Sequence, residues 1–228
     1  MQTGMPMKTA VLFSAGLDSA VLLARAAAEE PLPQPVYVST GLAWERAEQV
    51  VAARLVHTLA HRYALRPMVT LTVDMRDTYP PAHWAMRGEA PAFDTPDSDV
   101  YLEGRNIILL SKVAVYMARE KLERVLTGQL AGNPFPDASR RFFHAMQQAL
   151  SIGLATPIRV EAPFTEMTKA EVIRLGLSLA VPLEATLSCM QPLEGGHCGS
   201  CSKCRERRDA FHEAEVADET RYASPPPR

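Results

Sequence analysis

The sequence predicts an α/β fold: a doubly wound, mainly parallel sheet with helices on both faces, followed by a C-terminal four-cysteine zinc lobe. Three observations carry this. Strand-like and helix-like patterns alternate from Thr9 to Val160, which calls for crossover connections and a sheet covered on both sides. The stretch TAVLFSAGLDSAVLL, residues 9–23, is an apolar run that breaks into small residues and then opens a helix. All four cysteines lie within sixteen positions near the C-terminus.

Taken in order, Val11, Leu12 and Phe13 form the first strand, and the helix from Leu17 has an apolar face at Ala20, Val21, Leu23 and Ala24. A second strand runs from Val36 to Ser39. Trp44 to His61 has helical spacing at Val50, Val51, Leu55 and Leu59, and Met68 to Val73 is the third strand. Residues 74–100 are rich in Pro, Asp and aromatics without a sustained period, the pattern of a lid, a binding loop or a partly disordered segment. Ile107 to Met117 is helix, Arg124 to Thr127 strand, Arg141 to Ser151 helix, and Ile158 to Val160 closes the sheet. Ligands of such sheets sit beyond the carboxyl ends of the strands, so the loops after Phe13, Ser39, Val73 and Thr127 are expected to converge. The expected organisation is an α/β nucleotide-binding domain at 1–160, a helical zinc-binding lobe at 161–216 and a disordered polar tail at 217–228.

The corner Ser14-Ala15-Gly16 lets backbone approach a ligand, and the helix after it presents unpaired N–H groups and a positive dipole end. An anion fits there. Ser14 and Ser19 add hydroxyl donors. Asp18 repels a phosphate unless a divalent cation lies between them. No Gly-x-x-x-x-Gly-Lys-Ser/Thr occurs in the chain, so phosphate is handled differently from the common triphosphate loop.

A net charge of −2 and a pI near 6.3 give no long-range attraction to nucleic acid or an anionic bilayer. Small molecules are the expected ligands. No apolar run reaches the length of a membrane span, and the first residues lack the hydrophobic stretch of a signal peptide, so a cytoplasmic protein is expected.

Cys189, Cys198, Cys201 and Cys204 can supply four thiolates to one tetrahedral ion, with Gly195, Gly196 and Gly199 permitting the turns. Zinc is the natural candidate, an iron–sulfur cluster an alternative, and disulfides are disfavoured in a reducing compartment. A closed set of four sulfurs points to a structural metal and makes His197 a bystander. His57 and His61, one turn apart, lack a third ligand. Trp44 and Trp84 read as packing or lid aromatics, and Arg205, Arg207 and Arg208 as a solvated helix face.

Ser14-Ala15-Gly16-Leu17-Asp18-Ser19 resembles the SGGxDS loop of pyrophosphatase-loop ATPases, with Ala15 in place of the first of its two glycines. If that position requires a positive φ, alanine costs about 1 kcal/mol. Gly104-Arg105-Asn106, the run from Thr168 to Leu177, Val181 to Cys189 and the cysteine set complete a resemblance to the 7-cyano-7-deazaguanine synthase family from about Lys8 to Ala214. The resemblance implies an adenine nucleotide alpha hydrolase-like fold and a cytoplasmic homodimer. It also implies a ligase that uses ATP with Mg²⁺, ammonia and a deazapurine-like carboxylate. Phe13, Ser14, Ala15, Gly16, Leu17, Asp18, Ser19, Ala20, Val21, Leu22 and Leu23 are then the ATP-binding segment, with Ser14, Asp18, Ser19 and Lys169 catalytic. Arg105 would hold a carboxylate or phosphate, and Asn106, Asp137 and Arg140 the rest of the substrate. No cysteine is left over for sulfur transfer. The family's pattern breaks at Thr40 to Arg46, Glu103, Phe135, Ala138 and Leu187, which is the substrate side. A paralogue acting on a related carboxylate fits these changes, and so does a nucleotide-binding zinc protein that has lost turnover.

Overall fold

The computed structural model describes residues 8–193 and 196–227. The expected turn at Gly195 lies outside them. Five parallel strands, β1 (Thr9–Leu12), β2 (Gln34–Ser39), β3 (Val69–Thr72), β4 (Arg124–Leu126) and β5 (Arg159–Glu161), form one sheet in the order β3-β2-β1-β4-β5. The chain steps outward from β1 to β3, then returns to the other side of β1. The switch point is therefore the crevice beside β1.

Alternation along the strands divides the core. Val11, Phe13, Tyr37 and Leu126 pack with α1 (Leu17–Glu29), α2 (Glu45–Ala60), α6 (Lys169–Ser178) and α7 (Ser202–Glu213). Ala10, Val36, Val38, Val125 and Val160 pack on the other face with α4 (Arg105–Glu120) and α5 (Arg140–Gly153). Burying Leu17, Val21, Leu22 and Leu23 of α1 contributes roughly 1.5–3 kcal/mol each. Helix α6 lies against α1 where Gly176 permits it: a Cβ there would stand 2.8 Å from side-chain atoms of Val21 and Leu183. The segment after residue 160 thus continues the α1 side of the core.

The long segment after β3 departs from an open loop. It carries the one-turn helix α3 (Trp84–Arg87) and a 3-10 turn, and Tyr79 and Ala85 bury against Leu42, Trp44 and Leu102. Trp44 and Trp84 stack at 5.7 Å between ring centroids. Farther on, Ser202 N–H donates to Pro91 O and Arg205 Nη1 to Phe93 O, which ties the segment to the cysteine region.

The tail also departs from the disorder its composition predicts. Ala223 N–H donates to His197 O, Ser224 N–H to Cys198 O, and the close approach needs Gly199, where a Cβ would fall 2.0 Å from Ser224 O. Arg207 explains the docking. It is 1% exposed and donates to Leu183 O, Thr186 Oγ1, Ser188 Oγ and Thr220 Oγ1 at 2.6–3.1 Å. Arg208 stacks on Tyr222 at 3.6 Å. The three arginines of α7 are therefore anchors, not a solvated face: four neutral acceptors meet the guanidinium that burial strips of water.

Among the described residues no helix is long and apolar enough to cross a membrane.

Candidate active site

At the end of β1 the chain turns through Ser14, Ala15 and Gly16 into α1. Ser19 Oγ donates to Gly16 O at 3.0 Å and accepts from Ser14 N–H at 3.3 Å, so the two serines fix the turn. Ala15 has φ 61, the left-handed conformation in which glycine is easier. Its side chain is fully buried, and its carbonyl accepts from Leu187 N–H at 2.9 Å. The strain anticipated for alanine is thus present and is held by packing.

This turn forms one wall of a cleft of about 490 Å³ at the switch point. Phe13, Ser14, Gly16, Leu17, Asp18 and Ser19 line it. Ala20, Val21, Leu22 and Leu23 do not: they are fully buried in the core under α6, because only the first turn of a helix presents free N–H groups. Thr127 to Asn133 line the cleft after β4, Trp44 and Glu48 after β2, and Asp97, rather than the residues next to Val73, represents the long segment.

Lys169 enters from the start of α6, positioned by a Thr168–Glu171 capping box. Its ammonium lies 3.4 Å from Asp18 Oδ2 and in contact with Glu206, which also pairs with Lys203 at 2.5 Å. Burial lowers the Lys169 pKa, but Asp18 and Glu206 outweigh it and hold the group protonated. Burial pushes the Asp18 carboxyl up against the pull of Lys169. Glu206, also opposed by burial, is drawn down to about 2 by Lys169 and Lys203. Asp18 Oδ1 is buried without a hydrogen-bond partner. A lone carboxylate oxygen beside the phosphate turn is a suitable Mg²⁺ ligand.

Arg105, at the start of α4, lines the cleft, and its Nε is buried without a partner. Asn106 lines it too, but its backbone N–H donates to Asp137 Oδ2 and its Nδ2 to Asp137 O, both at 2.9 Å. Asp137 is 4% exposed, does not line the cleft, and its carboxylate caps the start of α4 at Asn106, next to Arg105. Arg140 does not line the cleft: it starts α5 after the Ser139 cap, with its side chain exposed and paired with Glu166.

Glu48 escapes a motif search. It is 8% exposed, lines the cleft, and accepts from Tyr37 Oη at 2.7 Å. Burial pushes its carboxyl up to about 7, with Arg105 and Tyr37 opposing and Glu45 assisting. Its signal is its place on the apolar stripe of α2, one and two turns before Ala52 and Leu55. Glu45 binds the loop after β2 through Thr40 and Gly41 N–H.

The four cysteine sulfurs lie buried within 4.8 Å of one another, with closest separations of 3.5–3.9 Å. A tetrahedron with bonds of about 2.3 Å has edges of about 3.8 Å, so the set fits a tetrahedral ion. Backbone N–H groups of Gln191, Cys198, Gly199 and Ser200 point at sulfurs and favour thiolates. His197 is outside the set, and its Nε2 accepts from Ser188 N–H at 3.0 Å. Burial holds its pKa near 3, so it is neutral.

A parallel sheet with a small-residue turn at its switch point, and four buried thiols beside that turn, define a doubly wound α/β protein with a ligand cleft and a candidate metal site. Sequence comparison gives the family. The model for queuosine biosynthesis protein QueC matches residues 8–215, and the chain belongs to that family. It is 32% identical to 7-cyano-7-deazaguanine synthase of Anaeromyxobacter dehalogenans, over 95% of this chain and 96% of that one. With the synthase of Ruegeria sp. TM1040 it shares 34% identity over 96% and 94% of the two chains. NMN synthetase from Francisella tularensis superposes with a TM-score of 0.45 at 15% identity, covering 93% of this chain and 79% of that one.

Proposed function

We infer that this chain is an ATP-dependent carbon–nitrogen ligase that adenylates the carboxylate of 7-carboxy-7-deazaguanine and, with ammonia, carries it through the amide to the nitrile. The observation that carries this is the Ser14–Ser19 turn at the switch point, in a chain of the QueC family. Converting an acid to a nitrile removes both carboxyl oxygens, and neither leaves as hydroxide at neutral pH. AMP is a good leaving group, so each oxygen departs on phosphorus.

The residues divide the work. Backbone N–H groups at the start of α1 and the Ser14 and Ser19 hydroxyls take the pyrophosphate as it forms. Three cleft cations, Arg105, Lys169 and Lys203, stand against four carboxylates, Asp18, Glu48, Asp97 and Glu206, so the free cleft is not positive enough for a polyphosphate. Mg²⁺, which Asp18 would hold through its unpartnered Oδ1, would supply the missing charge. Lys169, which lines the cleft at the start of α6, would reach the phosphates. Arg105 steadies the acid by a two-pronged contact. Cys189, Cys198, Cys201 and Cys204 would hold Zn²⁺, which would fix the strand of chain that touches Ala15. All four cysteines belong to that set, so no thiol remains for sulfur transfer. A homodimer belongs to the same reading.

Purified protein incubated with ATP, Mg²⁺, ammonium and 7-carboxy-7-deazaguanine is expected to yield AMP, pyrophosphate and nitrile. AMP formed only with another acid would make the chain a paralogue. ATP bound but never cleaved would make it a nucleotide-binding protein without turnover.

A further inference from the structure

Four carboxylates line the cleft, and three are already engaged. Asp18 and Glu206 share Lys169, and Asp97 faces Arg205 at 3.5 Å. Glu48, which lines the cleft, makes no ion pair among the described residues. One oxygen accepts from Tyr37 Oη, and the other, Oε1, has no hydrogen-bond partner among the described residues. Of the cations, Lys169 and Lys203 are paired through Glu206, whereas Arg105 makes no ion pair among the described residues and keeps a buried, unpartnered Nε. Among the described residues the cleft thus presents one carboxyl group and one guanidinium that no ion pair joins to each other or to a third group. A ligand with neighbouring N–H donors at one end and a negative group at the other matches both. In the loop after β2, Gly41, Leu42 and Ala43 offer no hydrogen-bonding side chain. Asp137, the other carboxylate suited to an amidine edge, does not line the cleft, and its Oδ2 accepts from Asn106 N–H.

We propose that Glu48 is the specificity-determining residue of this cleft, accepting the N1–H and 2-amino group of a guanine-type ring while Arg105 holds the acid at the opposite end. This rests on the ligase reading and adds the group that selects its substrate. A carboxylate and an aminopyrimidinone edge form two parallel N–H···O bonds, a geometry that a ring lacking the 2-amino group cannot complete. Tyr37 Oη keeps the Glu48 side chain aimed into the cleft, and its own 1% exposure makes it a fixed support. The buried position of Glu48 strengthens the contact, since water does not compete there.

The test compares 7-carboxy-7-deazaguanine with the analogue that lacks only the 2-amino group, following AMP release by full-length protein. The wild type is expected to favour the guanine-type acid by about 10- to 100-fold in kcat/KM, the range for a charge-assisted bond. Glu48→Gln keeps the shape and should erase that preference through KM for the guanine-type acid, with KM for ATP within about twofold. Tyr37→Phe retains the carboxylate and should keep most of it. A Glu48→Gln protein that folds and still discriminates, or loss of discrimination on Asp137→Asn instead, overturns the assignment and leaves the ligase reading standing. A wild type that releases no AMP with either acid overturns both.

Discussion

The Leu187 N–H donates to the Ala15 carbonyl at 2.9 Å, two residues before the first cysteine of the metal set. One hydrogen bond thus joins the phosphate turn to the thiolate knot. From Ser188 the link continues to His197 Nε2 and to Arg207, which reaches the tail through Thr220.

Removing the metal should therefore weaken nucleotide binding at a distance. Structural zinc contributes on the order of 10 kcal/mol to small modules, and its loss is expected to release the segment from Leu183 to Cys204. Protein stripped of metal, cleared of chelator and given fresh Mg²⁺ should show a KM for ATP raised at least tenfold and rapid proteolysis in that segment. Unchanged ATP affinity would mean that the knot and the turn are independent.

Ala15→Gly is expected to be nearly silent. Relief of the left-handed alanine contributes roughly 1–2 kcal/mol. Loss of a buried methyl costs about 0.8 kcal/mol, and the freer unfolded glycine about 0.5–1 kcal/mol. The sum lies within about 1 kcal/mol of zero, a Tm change below about 4 °C by calorimetry. A large loss of stability or of AMP release would show that the methyl has a role beyond packing.

Asp137→Ala removes the acceptor for Asn106 N–H at the start of α4. A lost helix cap costs about 1–2 kcal/mol, readable as a lower urea midpoint. The same variant should raise KM for the acid, since Arg105 follows the helix start. Altered KM without lost stability would return Asp137 to direct ligand contact.

Glu48 makes stability depend on pH. Its carboxyl is raised in the folded state to about 7, mainly by burial, so the contribution of the neutral form is complete below the unfolded value near 4.5 and is lost as pH rises through 7. Tyr37, Glu45 and Arg105 are the groups that face it. Glu48→Gln should match the wild type near pH 4.5 and exceed it by up to about 2–3 kcal/mol at pH 8, measured by denaturant titration at both values. Equal stabilities at pH 8 would place the carboxylate in water.

The parallel sheet, its strands and helices, the small-residue turn after β1 and the cysteine set were legible because apolar period, small residues and Cys spacing are local signals. Arg207 and Glu48 were not read correctly, although each had a signal. Arg207 stands three residues after Cys204 and three before Ala210, and Glu48 occupies the stripe of Ala52 and Leu55, so each charge sits where its helix is apolar. A charge at a core position is a buried anchor or a site. Asp137 and Arg140 do not line the cleft, for another reason. Whether a carboxylate faces a ligand or caps a helix is decided by the direction of α4 and α5, which no short motif encodes.

The central claim is that the Ser14–Ser19 turn holds a departing pyrophosphate while an acid oxygen attacks the α-phosphate. Turnover of 7-carboxy-7-deazaguanine with both carboxyl oxygens replaced by ¹⁸O tests it most directly. Mass spectrometry should find one ¹⁸O in each AMP, two AMP for each nitrile formed, and none in pyrophosphate. ADP with labelled inorganic phosphate, or AMP free of label, would contradict it.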